Sequence, residues 1–387
     1  MSRFILLITC LLCLPQLSWG ADDELLQASR LATMDLIMER AISRGLIAGG
    51  VVLIGNRDGI LHTAAHGRLT TAQNSPLLTD RTQFDVASLT KVIATTPAVM
   101  KLLEEGRISL LDPLSRWFPE FAGAGHDDIT ILNLLTHTSG LVDVAVAQDN
   151  PLNSVITSAT LQNSWKKSGN RFRYADINFI LLGELVRRVS GLTLDAFCRQ
   201  KLYLPLGMGS TMFLPPPEIV TSIAPTLGAD NRLASGVVQD SNARRLGGVA
   251  GHAGLFSSAA DMARFARMLL NGGVLDGNRL FSERVVTQMT APYFYNKGAV
   301  VRGLGWDIES PYSAPKGNFF TAMSFGHTGY SGSSIWIDPQ RDLFVILLTT
   351  RLDYRDIRHF NRLRNDISTL AAATFRPVET AETTVLP

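Results

Sequence analysis

Apolar residues recur at helical spacing from Asp23 to Gly45 (Ala28, Leu31, Met34, Ile37, Met38, Ala41), and Gly45 falls where such a helix should stop. The period then changes. "GGVVLIGNRDGILHTAAHG" (Gly49 to Gly67) reads as two strands around an Asn56-Arg57-Asp58-Gly59 turn. From Ser88 to about Leu270 the pattern is mostly helical, in "ITILNLLTH", "DINFILLGELVRRVSG", "TLDAFCRQKL" and "SAADMARFARMLLNGG". Ser258 and Asp261 are the expected capping pair of the last of these. Strand patterns return in "GLGWDIE", "GSSIWIDP" and "DLFVILLTT", and a final helix is predicted from Arg355 to Thr374. Strands at both ends with helices between predict an α+β chain. Its sheet part covers about 21–87 and 300–375, and its helical part about 88–299.

The ends refine this picture. Arg3 precedes an apolar run from Phe4 to Pro15 and then Ser18-Trp19-Gly20, so residues 1–20 read as a secretory signal peptide. No later segment offers about 20 uninterrupted apolar residues, so no integral membrane span is expected and the mature chain is expected to be periplasmic or secreted. The polar stretch 376–387 reads as a disordered tail, leaving 21–375 as a single domain. Cys10 and Cys13 leave with the signal, so Cys198 stands alone and a core, not a disulfide, must hold the fold. Cys198 lies at helical spacing and is read as a buried packing residue. A formal charge of +2 gives no reason to invoke nucleic acid. The basic "RDIRHFNRLRND" keeps Ile357, Phe360, Leu363 and Ile367 at helical spacing and reads as the solvated face of a packed helix.

Candidate chemistry begins at "FDVASLTKVIATTPAVMKLLEEG". Ser88 and Lys91 lie three apart at the start of a helical pattern, on one face and beside unpaired backbone N–H groups. Desolvation among Val92 and Ile93 is expected to favour the free amine of Lys91, as a base requires. The same spacing at Ser164–Lys167 and Ser313–Lys316 lacks that context, and Pro97 should kink the helix or cut a hydrogen bond. A second group is "RFRYADINFILLGELV", with Tyr174, Asp176 and Asn178; a third is "FGHTGYSGSSIWIDP", with His327, Thr328 and Gly329. Taken alone, Tyr174 is a structural aromatic and His327 a residue of a turn. His62 and His66 lie four apart on a strand with no third ligand nearby, so no metal is expected, and His252 either lines the cleft or packs a loop. Gly-x-Ser-x-Gly, a phosphate-cradling loop and a dinucleotide fingerprint are all absent, and no cofactor is expected.

The three groups in this order resemble the penicillin-binding-protein and serine β-lactamase superfamily, particularly its class C and esterase-like branch, with Ser-x-x-Lys, Tyr-x-Asn and Lys/His-Thr-Gly. "LLTHTSGL", "GGVAGHAGLFSSAADMARF" and "ILLTTR" are similar to this branch too, so the likeness runs from about Gly49 to about Arg351. The resemblance implies an antiparallel sheet flanked by helices, with a helical insertion. It also implies acylation of Ser88, proton transfer by Lys91, a partner base or relay in Tyr174, and an oxyanion hole from the N–H groups of Ser88 and Tyr330. Two positions depart from the pattern. Asp176 stands where an asparagine is usual and cannot donate when ionised, which would leave Asn178 to supply the amide. His327 stands for a lysine and is largely neutral near pH 7, so Arg351 is the residue expected to restore positive charge. The expected function is an exported serine acyl hydrolase acting on a cell-wall peptide, of D-Ala carboxypeptidase or muropeptide type. A carboxylesterase or β-lactamase of the same fold, and a sensor that is acylated without turnover, are the alternatives. The expected partner is a small or peptidoglycan-derived substrate, and nothing in the chain indicates an oligomeric state.

Overall fold

The computed structural model describes residues 19–375 apart from 124, 163–167, 229–231 and 297–299. Most of the expected signal peptide, the tail 376–387 and the Ser164–Lys167 pair therefore lie outside the described residues. The first helix, α1, runs Trp19–Ser43, and strands β1 (Ile47–Gly55) and β2 (Ile60–Gly67) follow around the expected turn. Late in the chain come β3 (Phe294–Asn296), β4 (Val300–Arg302), β5 (Asp307–Glu309), β6 (Phe325–Thr328), β7 (Ser334–Asp338) and β8 (Leu343–Arg351). All eight form one antiparallel sheet in the order β3-β4-β5-β6-β7-β8-β1-β2, so β1 from the N-terminal part lies against β8 from the C-terminal part.

The unbroken apolar runs of β1 and β8 have a simple cause, since both faces of the sheet are covered. Val52, Ile54, Val345 and Leu347 point toward α1 and the last helix, α5 (Ile357–Thr374), where they meet Met34, Met38, Phe360, Leu363 and Ile367. Val51, Leu53, Ile346 and Leu348 point the other way into the larger core, with Met262 and Phe265 of α4 (Ala259–Leu270). The helices α2 (Thr96–Glu104) and α3 (Ile177–Ser190) belong to that larger core. Ser258 caps α4 by accepting from the Asp261 N–H, but the Asp261 carboxylate turns to Ser210 and Thr211, so only half of the expected capping pair forms. Cys198 is fully buried, as its helical spacing implies. No helix among the described residues is long and apolar enough to cross a membrane.

The helical part contains a second, four-stranded sheet that the periodicity does not announce. Gln83–Asp85 pairs antiparallel with Leu255–Ser258 and parallel with Ile223–Ala224, and Met212–Phe213 adds to the far side of Leu255–Ser258. Segments of two to four residues are too short to display a period of two. They nevertheless deliver the chain to Ser88.

Candidate active site

The turn before Ser88 is held from several sides. Asp85 is buried, and its carboxylate accepts from the N–H groups of Ala87 (2.8 Å) and Gln239 (2.7 Å). The first of these bends Ala87 to φ 47°, a left-handed conformation uncommon for alanine, directly ahead of the serine. Burial pushes the Asp85 carboxyl up to about 6 despite those two donors. Ser88 then sits in a short 3₁₀ turn, Ala87–Leu89, followed by a π-helical turn, Lys91–Thr95, before α2 begins. Pro97, expected to break a helix, lies in the first turn of α2, where its missing N–H has no partner to lose; the irregularity moves into the π turn. The Thr95 hydroxyl secures that turn by donating to the Gly251 carbonyl at 2.7 Å.

Lys91 is buried as expected, but the expected consequence does not follow. Burial pulls its ammonium down, yet the Asp176 carboxylate at 2.8 Å and the Tyr174 phenol more than offset this, and the group ends above its ordinary value. Its three donors are all engaged, by Asp176, by Ser88 Oγ at 3.0 Å and by the His252 carbonyl at 3.1 Å. The resting lysine is an ammonium. Asp176 is thus not a poor substitute for an amide; it is the counterion of the lysine, and Lys91 in turn holds its carboxyl below the ordinary value against the effect of burial.

Tyr174 completes this side. Its ring stacks on His137 (4.5 Å between centroids), Lys91 Nζ lies 5.0 Å from the ring centre, and the cation of Lys91 draws its phenol downward against burial. Burial holds the phenol above its ordinary value, so it is protonated at neutral pH. His137, from "LLTHTSGL", is buried and driven well below its ordinary value by burial and by nearby Arg302 and Lys91. It accepts the Ala175 N–H at Nδ1 (3.2 Å) and acts as a neutral platform under Tyr174. Asn178 does not join them: it is fully buried, and its amide is engaged by Ser139 Oγ (2.6 Å), the Ala175 carbonyl (3.1 Å) and His137. The expectation that Asn178 replaces the missing amide is corrected, because α3 turns that side chain inward.

The opposite wall belongs to the sheet. His327 is buried and neutral, held well below its ordinary value by burial and by Arg302 and Lys91, with Nδ1 donating to the Thr328 carbonyl at 2.8 Å. The turn after it is tied to the segment that leads into Ser88, since Ser331 Oγ donates to the Asp85 carbonyl (2.6 Å) and Ser333 Oγ to that of Val86 (2.9 Å). Gly329 approaches so closely that a Cβ there would lie 2.4 Å from the Val86 carbonyl oxygen. Among the described residues, neither the Ser88 nor the Tyr330 N–H donates to a protein acceptor. Ser88, Tyr174, His327, Thr328, Gly329 and Tyr330 line one cavity of about 240 Å³, together with Arg302, Arg351 and Arg364. The competing Ser313–Lys316 pair forms no such site: Ser313 bonds Asp307, and Lys316 bonds Glu309 and the Ile308 carbonyl.

Arg351 donates to the carbonyls of Asp353 and Tyr330, under the Tyr330 and Tyr354 rings. Arg364 was assigned to a solvated face; it is buried, and it reaches the Gly329 and Ser333 carbonyls. A signal for it existed, since Arg364 lies four residues after Phe360 and three before Ile367, inside the apolar stripe. Asp240 was also missed. It accepts from His252 Nε2 at 3.1 Å, and with Asp176 these two are the one set of potential metal-ligating side chains among the described residues, within 4.8 Å of one another. Asp176 is already paired with Lys91 at 2.8 Å. His62 and His66 lie on β2 beside Asp35, which is 3.3 Å from His66 Nε2.

Comparison with known proteins bears on the family. A relative named "Putative D-alanyl-D-alanine carboxypeptidase" from Salmonella agona (strain SL483) is 27% identical over 381 residues, covering 87% of this chain and 86% of its own. A penicillin-binding protein homolog from Caulobacter crescentus superposes with a TM-score of 0.74 at 21% identity, over 89% of this chain and 97% of that one. A β-lactamase/D-alanine carboxypeptidase from Pseudomonas syringae gives 0.73 at 18% identity, over 90% and 100%. The family description "Beta-lactamase" matches residues 36–367. This chain therefore belongs to the Beta-lactamase family, within the serine β-lactamase and penicillin-binding-protein superfamily, and is a serine hydrolase.

Proposed function

We propose that this hydrolase is an exported carboxypeptidase that cleaves a terminal D-amino acid from a cell-wall peptide through an acyl-enzyme at Ser88. The observation that carries the substrate choice is the positive field of the cavity. Among the described residues, Arg351 and Arg364 line it without contacting a carboxylate, which favours a substrate bearing a free carboxylate over a neutral one. The relative's name points the same way, and the groove of about 600 Å³ beyond Tyr330, lined by Gln239, Asp240, Arg244 and Tyr354, leaves room for the rest of a peptide. Export rests on the reading of residues 1–20.

In this reading Ser88 Oγ attacks the carbonyl carbon while its proton passes to Lys91, which hands one of its own to Asp176. The new oxyanion is met by the Ser88 and Tyr330 N–H groups. The neutral Tyr174 phenol donates to the leaving nitrogen as the C–N bond breaks, and it recovers its proton from the Lys91–Asp176 pair. Water then attacks the acyl carbonyl and gives its proton to the Lys91–Asp176 pair, which returns one to Ser88 Oγ as the acyl C–O bond breaks and the acid is released. A small ester remains the second reading, favoured by His327, whose neutral ring offers a carboxylate less than a lysine would.

Turnover of a D-Ala-D-Ala peptide, a p-nitrophenyl ester and a penicillin by parent and Ser88→Ala decides between them. A loss of about 10³-fold or more in Ser88→Ala is expected, with the peptide preferred. Parent-level turnover in Ser88→Ala would end the acyl-enzyme reading. Preference for the ester would favour the second, and a penicillin adduct that never decays in the mass spectrum would make the protein a sensor.

A further inference from the structure

The N–H of Tyr330 and the carbonyl of Gly329 belong to one peptide group. Arg364 Nη2 donates to that carbonyl at 2.6 Å and, from the same nitrogen, to the Ser333 carbonyl at 2.7 Å across the turn. A cationic donor on an amide oxygen draws electron density through the peptide bond and makes its N–H a stronger donor, because hydrogen bonds in series polarise one another. Arg364 is only 5% exposed and contacts no carboxylate among the described residues, so no counterion absorbs its charge. Arg351 differs in connectivity: it holds the Tyr330 carbonyl, which belongs to the next peptide group.

We propose that Arg364 is a positioning residue for the oxyanion hole: through the Gly329 carbonyl it fixes the Tyr330 N–H and strengthens it as a donor to the tetrahedral intermediate. This rests on the Ser88 acyl-enzyme reading. It predicts an effect in the transition state and little in the ground state.

The test uses the full chain and compares parent, Ser88→Ala, Arg364→Gln and Arg364→Lys for hydrolysis of a p-nitrophenyl ester, thermal midpoint, and affinity for an arylboronic acid, whose serine adduct carries a negative oxygen. Arg364→Gln is expected to lower kcat and boronate affinity together by about 10- to 100-fold with KM within about twofold, and Arg364→Lys, which keeps the charge, to recover part of both. Folded Arg364→Gln with parent kcat and boronate affinity overturns the proposal, as does a loss that only tracks the fraction unfolded. Should Arg364→Gln fail to fold, Arg364→Lys decides alone: weaker boronate binding with intact KM supports the proposal, and unchanged binding overturns it. A parent that ignores both ester and boronate, or a Ser88→Ala that matches it, defeats the acyl-enzyme reading instead.

Discussion

On the helical wall of the cleft each carboxylate is met by a donor. Lys91 faces Asp176, and His252 faces Asp240. Across the cavity, of the three arginines lining it, Arg302 alone is paired among the described residues, with Asp307 at 3.0 Å, while Arg351 and Arg364 spend their donors on carbonyl oxygens and lie over the Phe360 ring. Burying a cation without a counterion costs several kcal/mol, and here oriented carbonyl dipoles and aromatic faces offset part of that. On the paired wall the charges of Lys91 and Asp176 cancel at a distance. The unpaired wall projects a field. Burial pulls the Arg364 guanidinium down to about 9, aided by Arg351, which still leaves it charged at neutral pH.

Breaking the pairing should have the largest effect. Asp176→Asn removes what offsets the burial of Lys91, so its ammonium loses ground to the amine. We expect kcat/KM near pH 7 to fall about 100-fold with the proton path cut, and an alkaline rise in the pH–rate profile that the parent lacks. An unchanged profile would mean that Asp176 does not set the charge of Lys91.

The next effect is on stability. Asp85 goes from an ordinary 3.8 to about 6 on folding, so the folded chain binds this proton more tightly than the unfolded chain does. Stability from this group is therefore full below pH 4, falls as pH rises toward 6, and stays low above that, by on the order of 3 kcal/mol. Thermal midpoints of the parent from pH 4 to 7 should show this decline relative to Asp85→Asn; parallel curves would refute it. The smallest expected effect tests the seam between the walls. Ser333→Ala deletes one buried hydrogen bond to the Val86 carbonyl, and a loss of about 1 kcal/mol in urea unfolding is expected. A neutral result would show that the Gly329 approach and Ser331 suffice to hold the turn.

Much of this was legible in the chain, for reasons the two walls make plain. The strands β1 and β8, the α3 and α4 helices and the three reactive motifs are local patterns, and each names its own residues. What stayed hidden depends on partners far away in sequence. Nothing near Lys91 says that Asp176 will come within 2.8 Å and reverse the effect of burial. Asn178 was misjudged because the motif spacing does not say which face of α3 turns inward. Arg364 was misjudged because a charged residue in an apolar stripe is ordinarily a sign of solvent. Its acceptors lie on a turn 31 and 35 residues earlier.

The pairing of β1 with β8 also governs how such a chain can be made. Val51 lies opposite Leu348, so β1 gains its second neighbour only after nearly the whole polypeptide is available. Closing so long a loop is entropically slow, and a nascent N-terminal fragment leaves β1 with one edge unpaired and its Val51 and Leu53 face uncovered. Early synthesis intermediates should therefore be the form most dependent on chaperones, and truncation before Leu343 should yield insoluble protein, not a smaller folded one.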